Sequence, residues 1–525
     1  MFSITTSLVV AFALAVTYKL IITVYRLCLH PLAAYPGPLL AKVTYKYEFY
    51  YDGIIGGQYV NRIAELHEQY GPIIRINPDE LHISDSSFID TIYSGPSAKS
   101  DKFAYQTAQF GNDLSVFGAI SHERHRLLRG SLNRFFSRPS VAKLQPLIAK
   151  SINQLCTQFE ANADTGKPVD VCKAYSCFTT DVVCEWAFAN SMNLLQNPTF
   201  EPNLQPALRA GLGAAAAIKQ WPVLYTILDS LPDYIVGLLM PDMPIWLNFQ
   251  RSMKTEIQQI IDQESVHERK ASYGVDENGL PIAPTLFHEL LISDLPAQEK
   301  GVKRMAQEAN VVISAGSETT AWTLSVLTFY LLDDRTCLAK LQKELKTLVH
   351  DPMTLPSLAA LEQLPYLYAV IQEGLRLSYG VGTRVARCAR QPIVYKDAGS
   401  GKDWEIPTGT PVSMTSVLIH HDESIFPDAR AFHPERWLDG TERSRVKKLD
   451  QYLFSFSRGS RQCVGMHVAY AELYLLLPAL ALRLFDRMEL FETTKEQHVQ
   501  WHHENVTPVP EKQDEGIRVR IRRAH

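Results

Sequence analysis

The run Phe456-Ser457-Arg458-Gly459-Ser460-Arg461-Gln462-Cys463-Val464-Gly465 leads directly into an apolar, Ala- and Leu-rich stretch with helical spacing. A cysteine there meets backbone N–H groups at a helix N-terminus, which are expected to lower its pKa and to donate to sulfur. Gly459 and Gly465 let the backbone turn beneath a flat ligand. Arg461 is placed to neutralise an acidic substituent of that ligand, which a bare metal ion would not carry. The chemistry indicated is haem held through one thiolate.

A second group lies in the breaker-poor segment from Glu299 to Leu332, where Ala315-Gly316-Ser317-Glu318-Thr319-Thr320 combines two small residues, an acid and two alcohols. Ala315 and Gly316 leave room for a flat ligand and dioxygen beside a helix. The Thr319 hydroxyl can loosen the helix ladder locally. Dioxygen activation in a dry pocket needs protons, and Glu318 as carrier beside Thr319 as positioner would supply them. Further on, Glu373 and Arg376 stand three apart, on one helical face, where they can pair.

The spacing F-x-x-G-x-R-x-C-x-G resembles the haem-binding loop of the cytochrome P450 family. The resemblance implies that Cys463 is the axial ligand of haem b iron, with Phe456, Gly459 and Arg461 in the cofactor loop. It implies that Glu318 and Thr319 are catalytic. Phe432-His433-Pro434-Glu435-Arg436-Trp437 resembles the family segment whose arginine joins the earlier acid–base pair, making Glu373, Arg376 and Arg436 a buried structural triad. His125-Arg126-Leu127-Leu128-Arg129 resembles the family's W-x-x-x-R segment with His125 in place of tryptophan, so Arg129 and His125 are expected at the haem propionates. Arg387, with Arg384 as its rival, is the other propionate candidate. The family usually has a proline near Tyr379, so the turn after Arg376 departs from its pattern.

The elements that must position these groups can be read coarsely. The chain has 525 residues, 46% hydrophobic and 21% charged, enough for a large core without a disordered majority. Leu8 to Leu29 is almost wholly apolar and long enough to span a bilayer, with Lys19, Arg26 and Lys42 towards its C-terminal side, which places the body in the cytosol. Residues 1–30 are read as a transmembrane anchor, 31–40, with Tyr35-Pro36-Gly37-Pro38, as a stiff hinge, and 41–525 as one domain. Short strands are expected at Ile73 to Ile76 and Glu80 to Ser84, around Val385 and Ile393, at Val412 to Ser416, and as a last pair within Thr507 to Ile521. The sequence from Ser84 to Leu375 reads as mostly helical. The expected fold is mainly α with a minor β-sheet region, which is the P450 fold.

Other signals carry little. Eight cysteines in so long a chain do not make a disulfide scaffold, and Cys172, Cys177 and Cys184 are expected in the core or on a helix surface. A net charge of −4 argues against nucleic acid as a partner. Gly211-Leu212-Gly213-Ala214-Ala215-Ala216 fits a dinucleotide fingerprint in spelling, but no strand precedes it, and small residues facing a pocket explain it better. His420-His421-Asp422 lacks a matching ligand set nearby.

The resemblance implies a monooxygenase that inserts one atom of O2 into a lipophilic substrate, by hydroxylation or epoxidation. Electrons would come from NADPH-cytochrome P450 reductase at the endoplasmic reticulum membrane. Arg124, Arg126, Arg134, Arg138, Arg443, Arg445, Lys447, Lys448 and Arg458 are candidates for the docking face. Pocket-lining regions are expected at the loop Phe103 to Asn112, at residues 205–222, at Val311 and Val312, and at Val381 to Thr383. The general look is of fungal secondary metabolism acting on a terpenoid or polyketide. A haem-thiolate isomerase or dehydratase and a non-catalytic haem sensor are the alternatives.

Overall fold

The computed structural model describes residues 4–95, 98–263, 285–438 and 449–523. Helix α1, Ile4–Val24, buries none of its residues against the rest of the chain. With the π turn Tyr25–Leu29 it forms a 26-residue span, long and apolar enough to cross a membrane by length and composition. The Pro-rich segment behind it is packed down. Tyr35 stacks on Trp404 at 4.9 Å and donates to the Glu405 carbonyl at 2.7 Å. The Arg75 N–H donates to the Pro36 carbonyl at 2.7 Å. Gly37 sits at φ +144°, where a Cβ would strike the Arg75 carbonyl. This Pro-rich segment is therefore held by docking as well as by its prolines.

Seven further helices frame the interior: α2 His122–Asn133, α3 Val171–Phe188, α4 Gln205–Gly213, α5 Met243–Gln263, α6 Val302–Asp333, α7 Pro365–Ser378 and α8 Met466–Arg483. Each begins or ends where local chemistry dictates. The Ser121 hydroxyl accepts from Arg124 N at the start of α2, and the Asp170 carboxylate from Cys172 N at the start of α3, satisfying N–H groups that the helices leave open. Pro365 occupies the first turn of α7, a position that needs no N–H. Helix α6 starts after Gly301 and runs 32 residues, about 48 Å. It packs along α3 and α5, with Phe178, Leu327, Leu331, Leu476 and Leu480 buried in one continuous core. Cys172, Cys177 and Cys184 are buried on α3.

The strands are short and form four small sheets among the described residues. The largest orders β1 (Ile73–Arg75), β2 (Leu81–Ile83), β8 (Pro411–Ser413), β5 (Arg387–Ala389) and β3 (Ser100–Lys102). The β2–β8 pair is parallel and the rest antiparallel. Strands β6 (Ile393–Asp397) and β7 (Lys402–Ile406) form a hairpin. The expected pair within Thr507 to Ile521 is resolved differently. β11 (Thr507–Val509) turns back on β10 (His503–Asn505), whereas β12 (Arg518–Ile521) joins β4 (Val169–Asp170) and β9 (Met488–Leu490). A turn of one residue, Val506 at φ +68°, closes the first hairpin before β12 is reached. Strands β3 and β4 interrupt the stretch read as helical.

Candidate active site

The loop before α8 holds Cys463 at the wall of a cavity of about 270 Å³. The Cys463 N–H donates to the Phe456 carbonyl at 2.9 Å, closing the loop on itself, and the Phe456 ring packs on Tyr470 at 5.2 Å. Gly459 takes φ +74°, and a Cβ there would run into the carbonyl oxygens of Tyr93 and Ser94. Gly465 has an ordinary φ of −84° with open space beside it, so only Gly459 is demanded by backbone geometry. The sulfur is exposed to the cavity but sits deep within the protein body. Burial pushes the thiol pKa up, against the pull of the Gly465 and Met466 N–H groups and of Arg129. The lowered pKa expected from the helix N-terminus is thus not supplied by the protein alone, because loss of water outweighs the dipole. The positive charge of a bound metal would reverse that balance.

One wall of the same cavity is basic. Lys102 and Arg387 are register partners across β3 and β5, and Lys102, His125, Arg129, Arg387 and Arg461 all line the space. Arg387 and Arg461 are buried. Burial, and then the charges of Arg387 and Arg461, hold the Lys102 pKa well below its usual value. Burial, and then Arg387, bring Arg461 down to about 10. Like charges directly opposite in an antiparallel pair are destabilising, and no acid among the lining residues answers them. Arg461 donates to the carbonyls of Ala119 and Ile120 at 2.6 and 2.7 Å, leaving its Nε without a partner. Arg129 donates to the Gln462 carbonyl at 2.7 Å, tying α2 to the cysteine loop. His125, driven to about 3 by burial and by these neighbours, is neutral. A planar ligand with carboxylates at one edge and a metal at its centre fits a thiol and a cationic wall so arranged.

Above this wall runs one face of α6, with Val311, Val312, Ala315, Gly316 and Thr319 lining the cavity. The Thr319 hydroxyl donates to the Ala315 carbonyl at 2.8 Å, a bond that competes with the helix ladder. A Cβ on Gly316 would meet Val183 of α3 at 3.1 Å, so this glycine also sets the distance between α6 and α3. Glu318 is not on that face. It borders a separate small pocket with Gln205, Arg209, Trp322 and His498, and Thr319 borders both spaces. Burial raises the Glu318 pKa against Arg209 and a hydrogen bond from Gln205.

Comparison with known proteins agrees with this geometry. The family model described as Cytochrome P450 matches residues 47–510. The chain belongs to the cytochrome P450 family. Cytochrome P450 monooxygenase tpcC of Cochliobolus heterostrophus is 40% identical over 519 residues, 97% of this chain and 95% of its own. Tryptophan 6-hydroxylase fscE of Fusarium equiseti is 36% identical over 96% and 94%, and N-acetyltryptophan 6-hydroxylase ivoC of Emericella nidulans 34% over 98% of each chain. The crystal structure of a cytochrome P450, CYP102L1, superposes with a TM-score of 0.66 at 18% identity, covering 89% of this chain and 95% of that one, which supports the fold. As a P450 the chain is an oxidoreductase of the haem-thiolate class, a monooxygenase that uses O2 and a redox partner on small molecules.

The remaining predicted residues fall into place in this P450 unevenly. Glu373, Arg376 and Arg436 form one buried cluster. Arg376 donates to both Glu373 oxygens at 2.9 and 2.8 Å, and Arg436, the His433 N–H and the Trp437 indole donate at 3.1, 2.9 and 2.9 Å. Tyr379, at the turn expected to depart from the family pattern, ends α7 at φ +63° and bonds His421 through its hydroxyl at 2.8 Å. His420 bridges the Arg376 carbonyl and the Phe454 N–H, both at 2.8 Å. Arg384 also borders the cavity, but it is committed to Glu48, at 2.6 Å, whereas Arg387 has no acid partner there among the described residues.

Among the expected lining regions, Gln106, Thr107, Phe110, Val311, Val312, Val381 and Thr383 border the cavity. The 205–222 region does not. Gly211 packs under the Trp246 ring of α5, and Ala214 is buried with Ile218 in a satellite core, so the small size of Gly211 and Ala214 serves helix packing. On the proposed docking face Arg124, Arg138 and Arg458 are paired with Glu299, Glu362 and Asp90, while Arg443, Arg445, Lys447 and Lys448 lie outside the described residues. Three ionisable cavity residues escaped the sequence reading: Lys102, Glu308 and Glu472. For Glu472, buried and hydrogen-bonded to Thr320 across α8 and α6, an acid inside a Leu- and Ala-rich helix was the available signal.

Proposed function

We propose that this P450 is anchored by α1 in the endoplasmic reticulum membrane and oxygenates a lipophilic natural product, by hydroxylation or epoxidation, with electrons from NADPH-cytochrome P450 reductase. Haem b, held by Cys463 with its propionates against Lys102, His125, Arg129, Arg387 and Arg461, would supply dioxygen activation. Glu373, Arg376 and Arg436 hold the polypeptide that supports the cysteine loop. The carrying observation is that Thr319 alone on its turn borders both the main cavity and the Glu318 pocket. Its hydroxyl can accept a proton on the acid side and present one on the cavity side. Phe110, Val116, Phe117, Val311 and Val312 keep water out of the reacting space.

The outer surface supports a membrane location. Trp221, Val223, Ile227, Tyr234, Leu238 and Leu239 are exposed, as are Leu39 and Leu40 beside the anchor. Trp221 contacts Phe49 edge-on at 5.0 Å, so the 220s adjoin the segment that follows the hinge. A contiguous apolar surface of this kind suits the lipid boundary. A terpenoid or polyketide fits such a route. Two relatives named for tryptophan and N-acetyltryptophan hydroxylation make an aromatic nitrogenous compound the second reading.

The test reconstitutes the holoprotein with NADPH-cytochrome P450 reductase in phospholipid vesicles and follows NADPH, peroxide and oxygenated product. Thr319→Ala is expected to keep consuming NADPH while product falls at least about a hundredfold and peroxide rises. A fully coupled Thr319→Ala enzyme removes the relay. Absence of reductase-driven turnover in haem-loaded protein returns the reading to an isomerase or a sensor.

A further inference from the structure

Two carboxylates line the main cavity among the described residues, Glu308 and Glu472. Glu472 is engaged with Thr320. Glu308 is completely buried and half used: its Oε2 accepts from the Val116 N–H at 3.1 Å and from Arg304 Nη2 at 2.6 Å, while Oε1 meets no donor. A buried carboxylate oxygen without a donor is costly, and native structures rarely leave one without a reason. Glu308 lies on the same face of α6 as Val311, Val312, Ala315 and Thr319, the cavity-lining positions that recur at helical spacing. Seven residues separate it from Ala315, about 10 Å along the axis.

We propose that Glu308 Oε1 accepts a hydrogen bond from a neutral N–H or O–H group of the substrate, fixing an elongated apolar molecule whose oxidised carbon lies about 10 Å from that donor. Charge selects the neutral donor. Arg304 already compensates the carboxylate, so an ammonium group would add an unpaired cation to a cavity that also carries Lys102, Arg384, Arg387 and Arg461. A substrate carboxylate at the same place would face Oε1 and be repelled. Between Glu308 and Thr319 the cavity-lining residues of this face are Val311, Val312, Ala315 and Gly316, so over that stretch the single side-chain acceptor sets orientation while apolar contact sets affinity. Only the position of the oxidised carbon rests on the monooxygenase reading; the anchoring contact does not.

The probes are N-methyl-4-phenylbenzamide and methyl 4-phenylbenzoate, which differ by one N–H replaced with oxygen. Their affinities for the holoprotein are measured by the Soret shift and by equilibrium dialysis. The wild-type protein is expected to bind the amide at least about tenfold more tightly than the ester. Glu308→Gln keeps an acceptor for Val116 and Arg304 but turns an NH2 towards the cavity, so the preference is expected to vanish or reverse. The ratio of the two affinities within each protein cancels any general loss of folding, and the wild-type ratio needs no variant. Equal affinities in the wild type, a preference that survives Glu308→Gln, or binding of neither probe overturns the proposal. Discriminating binding without reductase-driven oxidation of the distal ring leaves the anchor standing and sinks the monooxygenase reading instead.

Discussion

Glu373 and Glu48 are both completely buried carboxylates beside arginines, and the two regions around them are finished to different degrees. Around Glu373, donors reach both oxygens from two arginines, an indole and a backbone N–H, and Arg376 spends its remaining N–H groups, on Nη1 and Nη2, on the carbonyls of His420, Ala429 and Ala431. Burial raises the Glu373 pKa, but Arg376 and Arg436 outweigh it and hold the acid below its usual range. Around Glu48 acids outnumber bases: Glu48, Asp52, Glu80 and Glu504 face Lys219 and Arg384. Lys219 and Arg384 overcome burial only at Glu48; Glu80 and Glu504 stay raised, and Arg384 Nη1 finds no acceptor. A closed network can only hold its shape. An acid-rich one can exchange protons, and this one joins the segment after the hinge, the helix at Lys219, the cavity wall at Arg384 and the C-terminal hairpin.

Breaking the closed network should have the larger effect. Glu373→Ala strands Arg376 and Arg436 as buried charges without a counter-ion, a loss of roughly 3–5 kcal/mol. The expected result is a protein that fails to retain haem, seen as loss of the reduced, carbon monoxide-bound Soret band at normal expression level. Haem-loaded Glu373→Ala protein with wild-type thermal stability would mean that the cluster is dispensable.

Arg384→Met is expected to cost less, about 1–3 kcal/mol, because Lys219 remains 2.5 Å from Glu48 and Glu80 can take up a proton. Haem should be retained, since Arg384 is committed to Glu48 and Lys102, Arg129, Arg387 and Arg461 remain on the cavity wall, and the thermal midpoint should fall by a few degrees. A loss of haem equal to that of Glu373→Ala would show that the two networks act as one.

How far each region could be read beforehand follows from chain distance. Glu373 and Arg376 share a helix turn, and the cysteine loop is contiguous, so spacing alone displays them. Arg387 and Lys102 become neighbours only through the register of β3 on β5, which no local pattern encodes, and Lys102 was missed for that reason. The four acids and two bases of the Glu48 network come from five separate places in the chain. Glu318 illustrates a different limit. The acid–alcohol motif was visible, but adjacent residues on a helix point in different directions, so when Thr319 lines the cavity Glu318 must reach elsewhere. The helices came through better than the strands, whose two to five residues carry too little periodicity to fix partners.

The smallest effect is also the most diagnostic of an acid-rich network. Burial and then Asp52 push Glu504 up to about 7, against Arg384 and Lys219. The folded protein therefore binds a proton that the unfolded chain releases near pH 4.5. That contribution to stability is complete below pH 4.5 and is lost as pH rises through 7. Its size is on the order of 1–2 kcal/mol, because Glu80 adjusts its own protonation in response. Glu504→Gln keeps an acceptor for the Val506 N–H, 2.8 Å away, but cannot ionise. Relative to wild type it should be no more stable at pH 5 and more stable at pH 8, by a few degrees in thermal midpoint. Parallel pH profiles for the two proteins would mean that Glu504 keeps an ordinary pKa, and that the region around Glu48 is as closed as the one around Glu373.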